Sequence, residues 1–175
     1  MSFFYRGSGR KSPIYSRSLM RLLTSVALLA YPIGCVVRVL YTDPDRQAEL
    51  FVGDMAGLAL IILAFIAFIM IAPSNLQRIV GDEKKNLDEF ELDLRRRANG
   101  FAYQAFASLA LIGVFYMSVA VDDNRLSALG LWTPASYEAW NAIMWGGLLY
   151  AFTLPTAYLA WFGPSPIMED EVESA

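Results

Sequence analysis

The chain has 175 residues, 56% of them hydrophobic, 14% aromatic and 18% charged, and its formal net charge is −3. Soluble domains average about 45–50% apolar and about 25% charged residues. A water-soluble globule of this length would therefore carry more apolar surface than one core can hide, which argues against a soluble enzyme, a disordered chain or a collagen-like fibre. No global basic field points to nucleic acid. The complete lack of histidine excludes His-ligated haem, chlorophyll or zinc and every Ser–His or Cys–His catalytic pair. A single cysteine, Cys35, excludes intrachain disulfides and cysteine metal clusters.

A bilayer core about 30 Å thick takes about 20 helical residues. Three runs without charge meet that length, Met55–Gln77, Ala98–Val121 and Ala139–Met168, and a fourth, Leu22–Val37, falls short of it. Flanking arginines can reach the headgroups, so the first helix extends to Leu19–Tyr41. The second is placed at Leu50–Ala72, around the run Leu58–Ala72. The third covers Leu87–Val121, its membrane part starting near Ala98. The fourth covers Pro134–Phe162, with Thr133-Pro134 as N-cap and first-turn proline and Gly163-Pro164-Ser165-Pro166 as its stop. The expected fold is all-α: a four-helix antiparallel membrane bundle over residues 19–162, with a basic tail (1–18) and an acidic tail (163–175). The first helix reads as uncleaved, because its apolar stretch exceeds a signal-peptide core and no small-residue cleavage site ends it.

Eleven of the fourteen basic residues fall on one side. They are Arg6, Arg10, Lys11, Arg17 and Arg21 in the N-terminal region, and Arg78, Lys84, Lys85, Arg95, Arg96 and Arg97 in the middle loop. Arg38, Arg46 and Arg125 fall on the other. The asymmetry of basic residues puts both termini and the middle loop in the cytoplasm, with a bacterial inner membrane as the expected location.

In the middle loop Leu87, Phe90, Leu94, Ala98 and Phe101 follow helical spacing. Acidic residues precede basic ones by four (Glu91–Arg95, Asp93–Arg97), the favourable order. One helix is therefore expected to leave the bilayer as a cytoplasmic stalk, with Arg95, Arg96 and Arg97 at the lipid phosphates. Leu87, Phe90 and Leu94 either dock a partner or pack on the chain's own Leu76–Val80. In the far loops, Asp122-Asp123-Asn124 ends a span and Leu126–Trp132 has the pattern of a short interfacial helix.

Two charges intrude on the spans, Arg38 and Asp54, each about one turn from the same membrane face. They are expected to pair and pin the first hairpin; a proton relay would need deeper titratable groups. Small residues four apart allow close helix approach at Gly53/Gly57, Ala98/Ala102 and Ala142/Gly146. Pro155 is expected to kink the last span. Trp145 and Tyr150 are candidates for a lipid or cofactor groove.

The acidic-then-arginine stretch Asp88–Ala98 and the closing Leu154-Pro155…Leu159-Ala160-Trp161, followed by a proline-containing acidic tail, resemble small four-span membrane proteins of alphaproteobacteria. The resemblance covers the C-terminal half and implies no activity. No nucleotide-binding loop, metalloprotease motif, Cys pair or nucleophile elbow occurs. The expected role is a non-catalytic accessory, assembly or scaffold subunit of a larger membrane complex. Its partners would be membrane lipids and other subunits or further copies of itself. No cofactor is identifiable, and bound lipids are expected. The alternatives are a small oligomeric transporter or channel and a lipid- or pigment-binding protein.

Overall fold

The structure, a computed structural model, describes residues 15–40, 47–81, 87–120 and 131–163, with residues 47–52 described by their backbone only. Five helices follow in chain order: α1 (Arg17–Leu40), α2 (Gln47–Ile71), α3 (Asn75–Gly81), α4 (Glu89–Ala120) and α5 (Tyr137–Phe162). All but the seven-residue α3 are long and apolar enough to cross a membrane. Helix α4, at 32 residues, is about 48 Å long and outruns a bilayer core by about 18 Å.

Neighbours in space are not always neighbours in sequence. Helix α1 lies between α2 and α5, and α5 lies between α1 and α4, so the spans run in the order α2, α1, α5, α4. Each adjacent pair is antiparallel. At one end, here the basic end, all five helices converge on Met20, Leu23 and Ala27 of α1, Ala67 and Ile71 of α2, Leu76 and Ile79 of α3, Leu94 and Ala98 of α4, and Leu159 and Ala160 of α5. Towards the opposite end a second cluster of Ala30, Tyr31, Ala64 and Leu149 joins only α1, α2 and α5. Helix α4 is thus anchored at the basic end; beyond it most of its side chains are exposed, and near its far end the Tyr116 hydroxyl donates to the Trp132 carbonyl at 2.7 Å. Tyr103, Leu111 and Phe115 are 72–76% exposed, with Tyr103 on a different face of the helix from Leu111 and Phe115.

Local chemistry sets the helix ends. Ser16 accepts from the Leu19 amide at 3.3 Å, so α1 starts at Arg17, two residues before the expected Leu19. Asp88 and Glu91 form a capping box: the Glu91 amide donates to Asp88 Oδ1 at 2.6 Å and the Asp88 amide to Glu91 Oε2 at 3.4 Å. Helix α4 therefore begins at Glu89 rather than Leu87. The expected start of the last span at Pro134 is corrected. Thr133, Pro134 and Ala135 are not helical, and Ser136 caps α5 by accepting from the Ala139 amide at 3.2 Å. A serine three residues before an amide without a helical partner outcompetes Thr133-Pro134. Leu131 and Trp132 are not helical either. The rest of the expected interfacial segment lies outside the described residues, as do Asp122-Asp123-Asn124, Lys84, Lys85, Arg6, Arg10, Lys11 and the acidic tail beyond Gly163.

Candidate functional site

The closest helix crossing is between α1 and α2. A Cβ built on Gly34 would stand 2.7 Å from the Gly57 carbonyl oxygen, and one on Gly57 would stand 2.8 Å from the Gly34 carbonyl oxygen and 2.5 Å from Arg38 Cγ. Gly57 therefore gives the Arg38 stem room to cross, and Arg38 Nε donates to Asp54 Oδ1 at 2.7 Å. The two side chains are 47% and 45% exposed, so the pair sits at the rim and not in a closed chamber. Gly53, the other half of the expected small-residue motif, is buried. Gly34, which the sequence reading passed over, is the actual partner of Gly57.

Helices α1 and α5 are tied by two tyrosines. The Tyr31 hydroxyl donates to the Ala142 carbonyl at 2.7 Å, and the Tyr150 hydroxyl donates to the Leu28 carbonyl at 2.6 Å. Gly146 makes room for the first: a Cβ there would stand 3.0 Å from Tyr31 Cε1. Phe65 of α2 packs edge-on against Tyr31 at 5.9 Å and against Trp145 at 6.1 Å. Trp145 and Tyr150, the expected groove residues, each contact a neighbouring helix. The Trp145 ring packs on Phe65 of α2, whereas the Tyr150 hydroxyl turns into the α1 contact.

At the basic end Arg17 and Arg21 close the C-terminus of α5. Arg17 donates to the Gly163 carbonyl at 2.7 Å, and Arg21 to those of Ala160 and Trp161 at 3.1 and 3.2 Å. Arg21 also lies over the Trp161 ring, 5.2 Å from its centroid. These carbonyls have no helical donor, and the helix dipole places negative potential there. Nearby, the Thr156 hydroxyl bonds Gln77 of α3, and Thr24 bonds back to the Met20 carbonyl at 2.9 Å. Among the described residues Thr153 Oγ1 is buried without a partner.

The stalk is stitched to α3. Arg78 reaches Glu91 at 2.6 Å and Asn75 at 2.8 Å, and Arg97 pairs with Asp93 at 2.8 Å. Leu87 and Leu94 are buried while Phe90 is 52% exposed. Burial removes Leu87 and Leu94 from the expected docking face, and Leu94 packs with Leu76 and Ile79 of α3. Arg95 is half-buried, and Arg96 and Arg97 are exposed at the base of the spanning part of α4. Ala98 and Ala102 are buried, so this small-residue pair serves the chain's own packing.

Among the described residues no group of three or more Cys, Asp or Glu side chains could hold a metal ion. Comparison with protein-family models, curated proteins and solved structures finds no match. The architecture itself defines a class: an all-helical, multi-pass membrane protein with four candidate spans.

Proposed function

We propose that the protein is a non-catalytic accessory, assembly or scaffold subunit of a larger membrane complex, seated in a bacterial inner membrane with both termini cytoplasmic. The observation that carries this reading is the contrast between α4 and the other spans. Tyr31, Tyr150, Gln77, Thr156, Arg17, Arg21 and the Arg38–Asp54 pair are used to join the chain's own helices. The apolar half of α4 is left uncovered by them, and Tyr103 is 76% exposed. Bare helix faces of this kind are where membrane subunits pack on one another. The arginines at the basic end support the orientation through the basic-residue asymmetry, and Arg95–Arg97 would meet anionic lipid headgroups in that orientation.

Purification in mild detergent followed by mass spectrometry tests the role. Stoichiometric partner proteins support it, and recovery as a lone homo-oligomer that conducts ions in liposomes overturns it. Orientation is tested in a Cys35→Ser background: cysteines at Lys84 and Ser165 should resist an impermeant thiol reagent added outside the cell. Labelling of both would reverse the topology.

A further inference from the structure

One line on α4, which carries Gln104 and Ser108, is turned away from the helix's buried face. Gly100, Gln104, Ser108, Leu111 and Phe115 recur at spacings of three and four, hence on one face, and all five are exposed. The buried residues of α4, Leu94, Ala98 and Ala102, centre on a direction about a third of a turn around the helix from the centre of this line. Gln104 stands about 10 Å beyond Arg97 along the axis, at 1.5 Å per residue. That depth is inside the hydrocarbon of a membrane whose phosphates lie at the arginines. Neither Gln104 nor Ser108 makes a hydrogen bond among the described residues.

Lipid covers apolar side chains as well as a protein does, but it cannot satisfy a carboxamide. An amide held in hydrocarbon therefore calls for a polar partner from another helix. We propose that this partner is Gln104 of a second copy of the chain, in a parallel two-fold dimer built on the Gly100–Gln104–Ser108 face of α4. Three features select a second copy. A carboxamide carries both donor and acceptor, so two related by a two-fold axis complement each other. A Cβ added to Gly100 would meet nothing within 4 Å, which leaves the hollow that close backbone approach uses. The same face continues down the stalk through Arg97 and Asp93, an exposed pair 2.8 Å apart, so each copy offers both signs of charge to the other. The inference rests on the membrane-spanning architecture and is independent of the accessory role.

The test uses the full chain in native membranes with Cys35→Ser as background. Ser108→Cys is close to isosteric and keeps Gln104. Ile112→Cys and Val114→Cys are the comparison, because both positions are 65% exposed but lie off the line on either side. Oxidation should give a disulfide dimer of twice the chain mass from Ser108→Cys and little from the other two. Adding Gln104→Leu should weaken association roughly five- to thirtyfold, the equivalent of 1–2 kcal/mol for an interhelical hydrogen bond, and Gln104→Asn should restore part of it. Equal yields at all three positions, no dimer, a product with a foreign mass, or indifference to Gln104→Leu overturns the proposal. Release of the unmodified chain by alkaline carbonate would instead overturn the membrane architecture, so the two failures are distinguishable.

Discussion

The hydroxyl of Tyr150 donates at 2.6 Å to the carbonyl oxygen of Leu28, the one carbonyl of α1 that Pro32 leaves without its helical donor. Proline has no amide hydrogen, so the oxygen four residues earlier loses its partner, and in a membrane that loss must be made good by another group. A tyrosine from α5 does so, which makes the proline in α1 and the tyrosine in α5 one device.

The coupling is measurable. Tyr150→Phe should destabilise the protein by about 1–2 kcal/mol, because it strands a carbonyl as well as breaking a bond. Pro32→Ala returns an amide to Leu28, so the same tyrosine substitution should then cost much less. A double-mutant cycle in reversible unfolding from detergent micelles reads the difference; additive losses would show that the two residues act separately.

Close approach at the α1–α2 crossing predicts a sharp contrast among glycines. Gly34→Ala and Gly57→Ala each drive a methyl into backbone at under 3 Å and should cost about 1–3 kcal/mol. Gly113→Ala meets open space and should be neutral or stabilising by up to about 1 kcal/mol, the helix-propensity gain. Thermal unfolding of the three variants checks the order.

Arg21 holds two α5 carbonyls and the Trp161 ring at once. Arg21→Gln should lower stability by about 1–2 kcal/mol and expose the end of α5 to hydrogen exchange near Ala160. Arg21→Lys keeps the charge but not the planar fork, so it should recover only part. Full recovery by lysine would mean that charge alone is used.

The four spans and the Arg38–Asp54 proximity are legible in the sequence because they rest on local pattern: charge-free runs of fixed length, and two charges at matching depth on a short hairpin. The stalk was readable for the same reason, since Leu87 and Leu94 follow one helical stripe. The order of helices in space was not. The groups that set it, Tyr31, Tyr150, Arg17 and Arg21, bond to backbone carbonyls more than 100 residues away. A carbonyl acceptor leaves no mark in sequence, and its position depends on tertiary packing. Pro32 was the one available signal, because it announces a vacant acceptor at Leu28. Glu91 shows a different limit. Beyond the Arg95 spacing, its carboxylate also reaches the Asp88 amide and Arg78, contacts that depend on the capping box and on where α3 packs.

For Arg38 and Asp54 the expectation is a coupled loss. Arg38→Ala and Asp54→Ala should each destabilise, with the double variant costing less than their sum by on the order of 1 kcal/mol, a value suited to a half-exposed pair. The charge-reversed pair Arg38→Asp with Asp54→Arg should regain part of the stability. Asp54→Asn that preserved folding but abolished an ion flux would instead assign the aspartate to transport.

The most direct measurement of the central claim, that α4 meets protein where it is bare of its own chain, is photocrosslinking in living cells. Benzoylphenylalanine replaces Tyr103, which is 76% exposed on α4, or Ile62, which is 50% exposed on α2. The account predicts protein adducts of defined mass from position 103 and mainly lipid adducts from position 62. Lipid adducts alone from both positions would contradict it.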